Sequence, residues 1–353
     1  MKRFTALTLS VAALVLGICG WRAVASASSV ASASTSVHQE EELLVQDSLA
    51  VSAAPDASTE IMAVRGFFAS MEGDAQAIAD VLATVPEDES TVVFSLANPD
   101  EAPFVPSAQL EALEEALEAI DVPASFLLVD AETGWGISHN AFWANYAASS
   151  SKAWFALFLC QMAQAGELDF TEHLYGYSDE PLNQNGNWES PDCVGAYIEN
   201  AVLYSDNSAY ESLREAYDWQ GYDQWLEELG LQPVVIFAHY WYPALSPVAS
   251  VQLWMNMYSY LVSGAQHAAW LSDLLANTNV SYLRQGMDDA GFQATVLNKA
   301  GWDVLSTCDS GLIQVNGHTY FAAVITQLTT SDESDQQVVD LSAALVQAAL
   351  ALQ

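Results

Sequence analysis

Positive charge is what this chain has least of: eight Lys and Arg stand against 45 Asp and Glu in 353 residues, a formal net charge of −37. A surface of that sign repels phosphate backbones, which argues against a nucleic-acid partner. Solubility in a harsh or salty medium accounts for the acidity more simply than an acid-specific binding role. Cysteine is scarce as well. Of Cys19, Cys160, Cys193 and Cys308 only three lie beyond the first 27 residues, so at most one disulfide is expected, and the sequence does not choose the pair. The six histidines are widely separated and none joins a Cys/His cluster of the zinc type; no metal and no cofactor is expected. After the first apolar run, no segment is long and apolar enough to span a bilayer.

Apolar residues are plentiful, at 52 % of the chain with 11 % aromatic, a composition that sets it apart from acidic disordered proteins and predicts a sizeable core. Residues 1–27 read as an export signal or anchor. Lys2 and Arg3 precede an apolar run over 6–18, and small residues follow up to Ala27. A secreted or cell-surface protein is expected, cleaved at Ala27, with uncleaved anchoring as the alternative and Cys19 as a candidate for lipidation. Residues 28–60 are rich in Ala, Ser and acid without sustained periodicity, and are expected to form a disordered linker. Residues 61–104 form an N-terminal extension of unassigned role, with a helical stretch over 73–84 and a strand over 91–96.

From residue 105 the pattern is that of one folded domain. Leu110, Leu113, Leu117 and Ile120 at helical spacing predict a helix over 107–120, with Ser107 placed to cap it. Two short strands, 124–130 and 134–139, flank the turn Ala131-Glu132-Thr133-Gly134. Near the other end, strand-like runs at 293–297, 312–315 and 319–326 precede a helix over 336–352 that carries Val339, Leu341, Leu345 and Leu350. Strands at both ends with helices between predict an α+β fold: an antiparallel sheet formed from both chain ends, flanked by helices, with a helical insertion over 150–285.

Lysine carries the chemistry. Only three occur, Lys2 in the leader and then Lys152 and Lys299, and solubility does not explain the last two in a chain that avoids lysine elsewhere. Lys152 ends Ser149-Ser150-Ser151-Lys152, just before an apolar helical stretch over 153–162. Ser149 and Lys152, three residues apart, would share a helix face within hydrogen-bond reach. Burial against Trp154, Phe155 and Phe158 would disfavour the ammonium form and make Lys152 a proton acceptor for Ser149. The positive end of the helix would favour the developing oxyanion. Taken alone, the same pattern also fits serines capping a helix whose lysine reaches solvent.

Two further motifs follow in order, Ser205-Asp206-Asn207 and Lys299-Ala300-Gly301. The set resembles the Ser-x-x-Lys, Ser-Asp-Asn and Lys-Thr-Gly motifs of class A β-lactamases and penicillin-binding D,D-peptidases, over about residues 105–353. The resemblance implies a β-lactamase/transpeptidase-like fold and a serine hydrolase in which Ser149 is acylated and Lys152 accepts its proton. Ser205 would relay a proton to the leaving group, and Lys299 would hold the local field positive. Asn207 would orient the substrate amide. The backbone N–H groups of Ser149 and Trp302 would form the oxyanion hole, while Gly301 would let substrate lie along the strand edge.

Two departures qualify that expectation. Residues 229–272 contain no Asp or Glu, so the glutamate with which class A enzymes activate the deacylating water is missing; His239 and Tyr240 lie in that connection and are candidates to replace the base in part, with packing in an aromatic cluster beside Trp241 and Tyr242 as the preferred reading. Ala300 replaces the family's hydroxyl, and no arginine follows on the C-terminal strands, which weakens the case for binding a free carboxylate. The expected activity is therefore acyl transfer from a peptide, ester or β-lactam bond, with a cell-wall source in view, slow β-lactam turnover and a monomeric protein. The alternative is a catalytically weak or inactive relative serving as a cell-surface binding module.

Overall fold

A computed structural model of the chain describes Thr59, residues 61–231 and residues 241–353; the expected leader and nearly all of the linker, with His239 and Tyr240, lie outside them. The strands are β1 (Val92–Ser95), β2 (Ala124–Asp130), β3 (Trp135–His139), β4 (Asn145–Tyr146), β5 (Ala244–Leu245), β6 (Thr295–Asn298), β7 (Gly301–Asp303), β8 (Ser306–Val315) and β9 (His318–Thr326). They build an antiparallel sheet in the order β1-β3-β2-β9-β8-β6, with β7 continuing the β6 edge along β8. β4 and β5 pair separately. The extension thus contributes an edge strand to the same sheet.

Both faces of the sheet are covered, so its central strands read as continuous apolar runs rather than alternations. On β2, Leu127 and Val129 enter one core and Phe126 and Leu128 the other. Each such side chain contributes about 1.5–3 kcal/mol on burial. The first face carries α1 (Ala75–Leu82), and the second face α2 (Ser107–Glu118). The insertion returns to the first face as α3 (Lys152–Ala165), α4 (Val194–Leu203), α5 (Asn207–Tyr217), α6 (Tyr222–Glu228), α7 (Pro247–Val262) and α8 (Ala268–Ala276). Then α9 (Tyr282–Asp289) and α10 (Asp332–Leu350) close the second face. Backbone hydrogen bonds between Phe104 and Gln353 tie the start of the domain to its end.

Local chemistry explains where expectation and structure part. Ser107 is the first residue of α2 rather than its cap; Pro106 holds that position and no side chain caps the helix. The strand expected at 312–315 begins six residues earlier, at Ser306, because Ser306 to Gly311 is small and polar yet lies buried between β7, β6 and β9. α10 starts at Asp332, capped by Ser331 and with Asp332, Glu333 and Asp335 in its first turn, where carboxylates complement the helix dipole. Cys160, Cys193 and Cys308 are all buried free thiols.

Candidate active site

The approach to Ser149 is tightly prescribed. Asn145 donates to the carbonyl of Thr326 at the end of β9 (2.9 Å), and the Ala147 N–H reaches Pro243 just before β5 (3.0 Å). Ala148 then adopts φ +44°, a left-handed conformation costly for a residue with a side chain. A 3-10 turn over Ala148–Ser151 follows and runs into α3 at Lys152.

The three serines of this turn are not equivalent. Ser150 Oγ bonds back to the Ala147 carbonyl (2.7 Å) and Ser151 Oγ to that of Ala148 (3.1 Å), as serines near helix starts commonly do. Ser149 keeps 9 % of its surface accessible, and its hydroxyl makes no hydrogen bond to any described residue. It is therefore the one serine of the three not committed to the backbone, and it sits at the positive end of a 14-residue helix.

Lys152 is 1 % exposed. Its ammonium donates to the Ser205 carbonyl, to Asn207 Oδ1 (2.6 Å) and, more weakly, to Ser205 Oγ (3.3 Å). The expected hydrogen bond to Ser149 is not made; these oxygens, presented from the α4–α5 junction, take its place. Aromatic rings stand near it as well. Those of Tyr210 and Tyr242 lie 5.7 and 5.8 Å from Nζ, where a cation is attracted to the π face.

Ser205 joins the two lysines. It takes φ +59° between α4 and α5, which turns its carbonyl toward Lys152 while its hydroxyl accepts from Lys299 Nζ (3.1 Å). Lys299 lies in the break between β6 and β7, fully buried, and also donates to the Ala300 carbonyl (3.0 Å). Burial holds its pKa down to about 8 against the opposing pull of the Asp309 carboxylate. Asp309, itself pushed up to about 6 by burial, is held by the Leu283 N–H and Asn298. Asp206 caps α5 through the Ala209 N–H (2.8 Å) and accepts from Ser178 Oγ (2.7 Å) and the Glu180 N–H (2.9 Å). It thereby fixes the strained residue beside it.

Asn207, expected to orient substrate, uses its amide oxygen to hold both Lys152 and the Tyr242 hydroxyl (2.7 Å). Tyr242 is the functional neighbour that sequence reasoning missed; the run Trp241-Tyr242 read as packing, and only its place after an acid-free connection hinted at the site. Gly301 also meets a packing demand. A Cβ there would lie 2.5 Å from the Ala147 carbonyl oxygen and 2.8 and 2.9 Å from the nitrogens of Ser150 and Ser149. The missing side chain lets β7 close on the turn that carries Ser149. Trp302 follows on that edge strand, its ring 5.4 Å from Lys299 Nζ. Residues Asp130, Glu132 and His318 bring metal-type ligand atoms within 4.8 Å of one another. They lie at the end of β2 and β9 opposite the one on which Asn145 docks.

Residues 107–349 match the model of the beta-lactamase enzyme family. No curated protein matches the chain. Among solved structures, it is similar to a beta-lactamase from Chitinophaga pinensis (15 % identity, TM-score 0.58, 69 % of this chain and 99 % of that one). It is also similar to a mutant of PBP-A in an acyl-enzyme complex with penicillin G (18 %, 0.56, 69 % and 96 %). A beta-lactamase from Xanthomonas campestris aligns likewise (18 %, 0.53, 68 % and 97 %). At these identities the structural likeness establishes the fold.

Two variants test this geometry. Gly301→Ala should slow covalent labelling of Ser149 by about 100-fold or more, the scale of losing one oxyanion donor, as followed by intact-protein mass with time. Asp206→Ala should cost about 2–4 kcal/mol in urea unfolding, from one helix cap and two buried hydrogen bonds.

Proposed function

Because this chain belongs to the beta-lactamase enzyme family, we propose that it is an exported serine acyl-hydrolase, acylated at Ser149, that acts on a peptide, ester or β-lactam bond outside the cytoplasm. The observation that carries this reading is the Ser205 hydroxyl lying between Lys152 and Lys299, with Lys152 following directly on the turn that holds Ser149.

In this reading Lys152 gives up its proton and turns from Asn207, and as the neutral amine it accepts the Ser149 proton while Ser149 Oγ attacks the carbonyl carbon. The resulting oxyanion is met by the N–H of Ser149 and that of Trp302 on the adjoining edge. The bond to the leaving group then breaks, and Ser205 passes a proton to it, replenished from the lysine pair. A binding module without chemistry accounts less well for these residues, since burying two amines is costly and stability alone would favour apolar side chains.

Turnover is expected to be slow. Residues 229–272 contain no carboxylate, and among the described residues the Tyr242 phenol, a poor base at neutral pH, joins the Lys152–Asn207 pair. The leader pattern of residues 1–27 supports export, with the linker giving distance from a membrane or wall.

The test is intact-protein mass after exposure to a fluorophosphonate and to a penicillin. A single adduct with either reagent is expected on the parent, none on Ser149→Ala, and at least about 100-fold slower labelling on Lys152→Ala, the range for losing a general base. A penicillin adduct should persist for minutes or longer. Adduct formation that survives Ser149→Ala would sink this reading.

A further inference from the structure

An anionic substrate needs a cation that it can reach, and the supply is small. Of the eight basic residues, three precede residue 28, leaving Arg65, Lys152, Arg214, Arg284 and Lys299. Lys299 is fully buried, its ammonium engaged by Ser205 and Ala300 beneath the Trp302 ring, and Lys152 is sealed by Ser205, Asn207 and two tyrosines. Arg214, 1 % exposed, is spent on Tyr210, the Trp241 carbonyl and Asp218. Arg284 binds the carbonyls of Ala276 and Thr278. Arg65 is exposed, but it stands beside Phe67 and Phe68, which bond to Glu132 and Ala131 at the far end of β2.

The edge beside Ser149 presents the opposite character. Along β7 successive side chains alternate between faces. Gly301 faces the nucleophile's turn and Trp302 packs with the second core, so Asp303 shares the face of Gly301. Past it, Val304 and Leu305 form an exposed apolar tip. A carboxylate on the leaving group would thus meet an acid, an apolar turn and a strongly negative protein, with no lysine or arginine of the described residues open to it in return.

We propose that the site prefers uncharged acyl donors, esters or amides without a carboxylate beside the scissile bond, and that carboxylate-bearing ones, penicillins among them, acylate it more slowly. The inference rests on the hydrolase reading and specifies its substrate class. Ser149 Oγ forms the acyl bond, the bond to the leaving atom breaks, and that atom departs with the proton relayed through Ser205.

The experiment uses two thioesters that differ in one charge, N-acetylglycyl-mercaptoacetate and its methyl ester, with the full chain in 0.15 M salt. Thiol release and Ser149 acylation are both followed, and fluorophosphonate labelling of Ser149 is run in parallel. The methyl ester should react at least about tenfold faster, and Asp303→Asn should raise the rate of the acid about threefold while leaving the ester unchanged, as for one screened charge nearby. Equal rates, a faster acid, or no reaction of either thioester in a chain that the phosphonate labels would overturn this inference alone. Failure of the phosphonate as well would overturn the hydrolase reading beneath it.

Discussion

Two ammonium groups buried around a single hydroxyl are the constraint on which the rest of the structure depends. The described partners of Lys152 and Lys299 are hydroxyl, carbonyl and amide oxygens, so neutral dipoles and aromatic faces do much of the work that a carboxylate does in an ordinary buried pair. Such dipoles must be aimed. Three segments far apart in sequence supply the amines and these oxygens: the start of α3 with Lys152, the α4–α5 junction with Ser205 and Asn207, and the break in the β6–β7 edge with Lys299 and Ala300. Each is held at its own cost, with left-handed backbone at Ala148 and Ser205 and a glycine at the closest approach. Strain concentrated in this way is common where geometry serves function rather than stability.

The same arrangement orders the chemistry. In the resting chain Lys152 is turned toward Asn207 and Ser205, so the proposed acylation of Ser149 would require a swing of that side chain. Tyr242 bears on that swing because it competes for the same amide oxygen of Asn207. The connection that leads into Tyr242 carries aromatic residues and no acid, which is the basis of the slow turnover proposed for this site.

Much of this was legible because the composition is so biased. In a chain that avoids lysine, Lys152 and Lys299 stand out, and the order of the three motifs brought out Ser149, Ser205, Asn207 and Gly301, which the fold assembles. The antiparallel sheet from both chain ends was legible in its apolar strands and opaque in β8, where burial of small polar residues is imposed by neighbouring strands. Ser149 could not be told from Ser150 and Ser151 by pattern, since the distinction lies in which hydroxyls reach back to carbonyls three residues earlier. The direction of the Lys152 side chain, the role of Tyr242 and the face of Gly301 depend on contacts between distant segments. No local periodicity encodes them.

The scarcity of lysine makes the central constraint directly measurable. In protein labelled with 13C at lysine Cε, the described domain contributes two signals, to be followed by NMR against pH. The account predicts that Lys299 titrates near pH 8 and that Ser205→Ala shifts both resonances. Two signals titrating together near the ordinary lysine value of 10.5, unmoved by loss of Ser205, would contradict it.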